Sequence, residues 1–336
     1  MSLERDLIIK AFLNQNGWAG AKRTFLAGDA SFRRYDRIWL SGNCAVLMDA
    51  LPPDGDVHQF ITIAQHLTQL GYSAPRVLAA DEKDGLLLLE DLGDTTYTQV
   101  LSKGGDEMTL YELAIDVLID LHKRPHNESI PPSLPNYGNG RLLNEAFMAP
   151  QWTIPAFAGV PATEYVRRTY GNIWLELFPR IHSGPKTLVL RDYHVDNLIW
   201  LGERSGIKAC GLLDFQDAVT GHPAYDLMSL LEDARRDLGS GIKSRMIERY
   251  LSAFPKLDQV SFGIAFSILA AQRHAKVIGV FTRLCQRDGK PGYLVHIPRV
   301  WALLEAALEN PVLADLKDWF DTHMPISMRG IPEISP

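Results

Sequence analysis

The chain has 336 residues, 46% hydrophobic and 22% charged, enough apolar surface for a large core, which excludes wholesale disorder and any small scaffold that depends on disulfides or metal. At roughly 150 residues per domain it is sized for two domains or for one domain with two lobes. Its 34 Lys and Arg against 40 Asp and Glu leave a net charge of -6, too mild and of the wrong sign for a chain whose main partner is nucleic acid or an anionic membrane.

Leu3, Leu7, Ile8 and Phe12 recur at helical spacing and stop before Asn16-Gly17, which predicts one short opening helix. Charges at Glu4, Arg5 and Asp6 stand where a signal peptide needs its apolar stretch. No uninterrupted run approaches the roughly 18 apolar residues of a membrane span, so a cytoplasmic protein without membrane contact is expected. Gly28, Gly42 and Asn43 then punctuate a β-rich stretch in which Tyr35 to Leu40 and Ala45 to Met48 read as strands. Residues 56–70 carry Phe60, Ile63, Ala64, Leu67 and Leu70 on one helical face, closed by Gly71. Arg76 to Ala80 and Leu86 to Glu90 flank a polar turn and read as a hairpin, ending a first lobe near Leu92-Gly93.

Helices dominate afterwards. Met108 to His122 is amphipathic and stops before Pro125, a Pro-rich connection follows from Pro131 to Pro135, and Tyr165 to Phe178 repeats the helical pattern. Two strand-like segments, Thr187 to Leu190 and Ile207 to Leu213, bracket the most polar stretch, and further helices fill the remainder. There is no internal repeat or low-complexity segment. Cys44, Cys210 and Cys285 are far apart and odd in number, which argues against a disulfide framework or zinc knuckle and for a reducing compartment; Cys210, in an apolar strand, reads as a small hydrophobe.

The chemistry lies between Leu188 and Phe215. Asp192 sits in a polar loop after a strand, Asn197 follows five positions later, and Asp214 ends a hydrophobic strand further on. That order matches a phosphoryl-transfer site. Asp192 orients an attacking hydroxyl and accepts its proton. Asn197 offers a neutral oxygen to Mg²⁺, and Asp214 a hard carboxylate that bridges metal and nucleotide phosphates. The bland alternative is a surface loop whose Asp and Asn make only turn hydrogen bonds.

The segment Leu190 to Asn197 together with Leu213-Asp214-Phe215 resembles the kinase superfamily, specifically its aminoglycoside phosphotransferase family. The resemblance extends through Ala27 to Tyr35, Met48-Asp49-Ala50, Leu212 to Ala218 and Ala271 to Gly279, which look like the bacterial anomeric kinases of N-acetylmuramate and N-acetylglucosamine. It implies an α+β, two-lobed protein-kinase-like fold, with an antiparallel-sheet N-terminal nucleotide-binding lobe over 1–92 and a mainly helical catalytic and substrate-binding lobe over 93–336. It also implies ATP- and Mg²⁺-dependent phosphorylation of an amino sugar at its anomeric hydroxyl in cell-wall sugar recycling, with sugar and ATP as partners and no obligate protein partner. Asp226, in Gly221 to Leu227, corresponds to the residue that anchors the catalytic-loop backbone, and the linker residues Glu90 and Leu92 to those that meet adenine. The alternatives are an aminoglycoside or choline-type hydroxyl kinase, of the same chemistry, and a non-catalytic nucleotide-binding module.

One departure bears on mechanism. Related kinases carry a lysine on the third strand for the α- and β-phosphates, and Ala45-Val46-Leu47-Met48-Asp49 has none. Either Arg33 or Arg34 supplies the charge or the nucleotide is held mainly by Mg²⁺ and backbone amides, with Gly28 to Ser31 as a phosphate-covering loop or a plain hairpin turn. Arg273, His274 and Lys276 lie near the start of an apolar helix, Phe266 to Val280; with Asp217 they are candidates for the acceptor, suited to a muramyl carboxylate or to phosphates, or else they snorkel or pair. From Asp214 onward 15 acidic residues face 14 basic ones, a balance that disfavours a polycationic acceptor. His194, lacking a spaced partner, reads as a loop-stabilising residue, and Trp152, Trp174, Trp200, Trp301 and Trp319 as core.

Overall fold

Contacts within the structure, a computed structural model that describes residues 3–28, 33–51 and 57–333, group the chain into two compact units: Met1–Val117 with Val195–Ala218, and Leu118–His194 with Val219–Pro336. The first unit is built on five antiparallel strands, β1 (Lys22–Gly28), β2 (Arg33–Leu40), β3 (Asn43–Ala50), β4 (Val77–Asp81) and β5 (Leu86–Leu89), in the order β1-β2-β3-β5-β4. Alternation along the strands gives the sheet two unlike faces. Ile38, Ala45, Leu47, Leu86 and Leu88 pack on Ile9, Phe12 and Leu13 of the first helix, α1 (Leu3–Gln15).

The buried face of α1 is Arg5, Ile9, Phe12 and Leu13, not the expected one: Leu3 and Leu7 are 85% and 60% exposed. Arg5 explains the rotation. Its guanidinium reaches the Asp49 carboxylate of β3 at 2.6 Å and the Asp84 carbonyl at 2.6 Å, so a polar anchor turns the helix. The second helix, α2 (His58–Gln69), buries Phe60, Ile63, Ala64 and Leu67, and Gly71 follows it at φ +94°, a left-handed backbone that glycine adopts without strain.

Residues 195–218 complete this unit as a second hairpin, β7 (Leu198–Trp200) with β8 (Cys210–Leu212). Leu212 N–H donates to the Ser73 carbonyl at 2.9 Å, Trp200 N–H donates to the Thr95 carbonyl at 2.8 Å, and the Phe215 ring lies 5.1 Å from that of Phe60. The expected strand over Ile207 to Leu213 is shorter, because a tight helical turn, Gly206–Ala209, precedes it.

The second unit is mainly helical around one small ladder, β6 (Thr187–Val189) with β9 (Val219–Gly221). Its central element is the Gln259–Gln286 helix, started by Asp258, whose carboxylate accepts from Val260 N–H and Ser261 N–H. This helix begins two turns before the expected Phe266, so Arg273 sits in its middle. By length and composition it could cross a membrane, yet 67% of its most apolar 18-residue stretch is buried inside the protein, as in a core helix. Tyr170, Trp174, Phe178, Trp301, Trp319 and Phe320 form an aromatic cluster beside it, with Tyr170 and Trp319 rings 4.3 Å apart. Trp152 and Trp200 are only partly buried.

Candidate functional site

The first unit holds a cavity of about 450 Å³ lined by residues from β1, β2, β3 and β5, by the segment after β5, and by Asn197 and Asp214. Leu26, Tyr35, Val46 and Leu89 give it apolar walls, and the consecutive residues Glu90, Asp91, Leu92, Gly93 and Asp94 also line it. Such a slot, apolar on its faces and polar at one edge, suits a planar heteroaromatic base. Glu90 points its carboxylate at Arg76 (3.0 Å) and Arg204 (2.9 Å), while Leu92 is buried.

The register of the second hairpin sets Asn197 beside Asp214. Leu198 pairs with Leu212, and one step outward Leu213 N–H donates to the Asn197 carbonyl at 2.9 Å. Asn197 Nδ2 then donates to Asp214 Oδ2 at 3.2 Å, and Gln216 Nε2 to Asp214 Oδ1 at 2.6 Å. Asp214 has φ +57°, a left-handed backbone that is uncommon outside glycine and that aims its carboxylate into the cavity wall. Gln216 Oε1 is buried and has no hydrogen-bond partner among the described residues. One carboxylate, one amide oxygen and a nearby orphaned oxygen form a hard donor set that fits Mg²⁺, which takes one or two protein ligands and completes its shell with phosphates and water. Among the described residues no group of three or more His, Cys, Asp or Glu converges into a cage.

Asp192 belongs to the second unit. Its loop is fixed through the backbone: Asp226, fully buried, accepts from Leu190 N–H at 2.7 Å and Arg191 N–H at 2.9 Å. Arg191 has φ +71°, and its carbonyl accepts from Ser229 Oγ at 3.2 Å and Arg273 Nη1 at 3.0 Å, so a strained residue is held on both sides. Arg191 Nη2 reaches Glu145 Oε1 at 2.5 Å. Arg273 Nη2 lies 3.5 Å from Asp192 Oδ1. Burial by itself would push the Asp192 carboxyl up, but the cations of Arg273, Lys276 and Arg191 outweigh it and hold the group at about 2. Asp192 also lines a cavity of about 140 Å³ with His194, Asp233, Arg235, Arg273 and Lys276.

The remaining candidates are distributed as follows. Gly28 ends β1 opposite Arg34, whereas Ser31 lies outside the described residues. Arg33 and Arg34 open β2, and Arg34 is bonded to Asp36 at 2.9 Å with its guanidinium over the Phe25 ring. His274 is buried against Glu232 at 2.6 Å, and Lys276 lies 3.5 Å from Glu145. Asp217 is exposed and lines neither cavity. Gln216 and Glu145 had no assigned role from sequence. Gln216 was legible only as the residue after Asp214-Phe215, and Glu145 is one acid on a short helix, Asn139–Ala146, with nothing in its spacing to single it out.

A model of the phosphotransferase enzyme family, APH, matches residues 22–260. A Caulobacter vibrioides protein named N-acetylmuramate/N-acetylglucosamine kinase is 36% identical over 98% of this chain and 99% of its own length. Among solved structures, an ADP-bound aminoglycoside phosphotransferase aligns with TM-score 0.57 and 17% identity over 93% of this chain and 99% of that one. The GDP complex of an aminoglycoside 2'-phosphotransferase aligns with TM-score 0.61 and 14% identity over 92% and 99%. At those identities the likeness speaks for the fold, a kinase-like one.

Proposed function

The chain belongs to the phosphotransferase enzyme family, and on that premise we propose that it transfers the terminal phosphoryl group of ATP to the anomeric hydroxyl of N-acetylmuramate or N-acetylglucosamine. It is a sugar kinase. The relative that aligns along nearly its whole length is named as a kinase of those two sugars, and the observation in this chain that carries the reading is the Asn197–Asp214 pair on the wall of a base-sized cavity.

Asn197 and Asp214 would hold Mg²⁺, which when bound neutralises charge on the transferring phosphates. Backbone groups from Glu90 to Leu92 take the adenine edge. Asp192 accepts a hydrogen bond from the acceptor hydroxyl and orients it. A carboxylate held at about 2 is too weak a base to ionise an alcohol beforehand, so it takes the proton as the new oxygen–phosphorus bond forms. The bond from the γ-phosphorus to its bridging oxygen breaks, ADP leaves, and the proton passes from Asp192 to solvent. Positioning and electrostatics supply the rate, as expected for a loose phosphoryl transition state.

The side chains around Asp192 bear on the acceptor. Arg273, Lys276 and Arg235 line its cavity together with the acids Asp192, Glu232 and Asp233, and the three cations offer donors that suit the lactyl carboxylate of N-acetylmuramate. The test is parallel assay of N-acetylmuramate, N-acetylglucosamine, kanamycin and choline with ATP and Mg²⁺. The expected result is an amino-sugar phosphate that has lost its reducing end. Transfer to kanamycin or choline instead, or nucleotide binding with no transfer to any of them, would overturn the reading.

A further inference from the structure

Among the described residues that line the nucleotide cavity, the charged ones, Glu90, Asp91, Asp94 and Asp214, are all acids, and Arg37 at its edge is paired with Asp91 and Asp94. A nucleoside triphosphate needs positive charge beyond a single metal ion, and strand alternation shows where it comes from. On β3, Val46 lines the cavity, so Met48 and Ala50 share its face, and the strand carries no lysine. Asp49 faces the other way, onto Arg5.

On β2 the parity is fixed at several points. Tyr35 lines the cavity, and Arg37, on the same face, reaches Asp91 and Asp94 at the cavity edge. Ile38 packs on α1, and Asp36, 3% exposed, takes Arg34 and Arg23 on that opposite face. Arg33 therefore belongs to the cavity face and Arg34 does not. Register places Tyr35 opposite Met48 and Arg33 opposite Ala50, so Arg33 is the diagonal neighbour of Met48, within reach of a long side chain.

We propose that Arg33 is the phosphate-binding cation of this enzyme, taking from β2 the α- and β-phosphate contact that a β3 lysine makes in related kinases. A guanidinium suits the role, since it binds two phosphate oxygens at once and stays charged. The proposal rests on the nucleotide-dependent reading above and is separable from it. Calorimetric titration of the full chain with Mg²⁺-ADP and with adenosine should show ADP binding weakened at least tenfold in Arg33→Gln with adenosine binding unchanged. Arg34→Gln, a lost charge one residue away on the other face, should weaken ADP less than threefold. Met48→Lys added to Arg33→Gln should recover most of the loss. Unchanged ADP affinity in Arg33→Gln overturns the proposal, as does equal weakening by both single variants, or loss of adenosine together with ADP. If the unmodified protein binds neither ADP nor adenosine, the kinase reading itself falls.

Discussion

Asp192 is held ionised by its neighbours, and that has consequences for both turnover and pH. Arg273 is the first of the cations that lower its carboxyl to about 2. An ordinary aspartate titrates near 3.9 in an unfolded chain, so ionised Asp192 favours the folded state above that value, and the contribution disappears as pH falls through about 2. Asp192→Asn should lower kcat by roughly 10²–10⁴-fold, the usual worth of a positioned acid–base group, without weakening ADP in a binding assay. Arg273→Gln should move the acid limb of the kcat/KM profile to higher pH, because burial then acts on Asp192 with one cation fewer; an unmoved limb would detach Arg273 from that carboxylate. Asp192, Asn197 and Asp214 were legible in sequence because a loop acid, an amide five residues on and an acid closing an apolar strand form a pattern of order and spacing. The choice between Arg33 and Arg34 was not, since adjacent residues exchange faces if a strand is read one residue out of register.

Among the elements, α1 shows how one buried ion pair can overrule an apolar stripe. Leu3 and Leu7 promised the packed face, and Arg5 with Asp49 delivered another. Breaking such a pair strands a buried charge. Asp49→Leu should therefore cost about 3–5 kcal/mol in urea unfolding, and Arg5→Met in the same chain should return most of it. A second contact is steric. Gly279, in the Gln259–Gln286 helix, lies so close to the backbone of Met148 that an added Cβ would stand 2.1 Å from its carbonyl. Alanine gains about 1 kcal/mol of helix propensity over glycine, but a backbone carbonyl cannot rotate away as a side chain does. Gly279→Ala should lower Tm, with overpacking of about 1–3 kcal/mol or more setting the scale. Helix existence was readable from periodicity, while the start at Asp258 was hidden because a capping aspartate looks like any loop aspartate until its partners are seen.

At the scale of the whole molecule, acid sensitivity should come from histidines before carboxylates. Burial lowers His122 to about 3 and His222 to about 4, and His222 Nδ1 accepts from Ala224 N–H, a role only the neutral ring can fill. Unfolded histidine titrates near 6.5, so below that pH the unfolded chain binds protons that the folded one refuses. Stability should drop by up to about 1.4 kcal/mol per pH unit for each of the two. Asp226, which burial raises to about 7, opposes one of the two histidines, so unfolding midpoints between pH 7 and 5 should fall by the remainder, and His222→Gln should remove most of that fall. The division of the chain has a further consequence. Val195–Ala218 belongs with the first 117 residues, so a nascent chain emerging from the ribosome exposes its five-stranded sheet well before it can supply Asn197 and Asp214. At translation rates of about 5–20 residues per second that interval lasts on the order of 5–20 s. During it the half-built unit offers the base slot one wall short, and nucleotide can act as a late folding ligand only after Ala218 has cleared the exit tunnel.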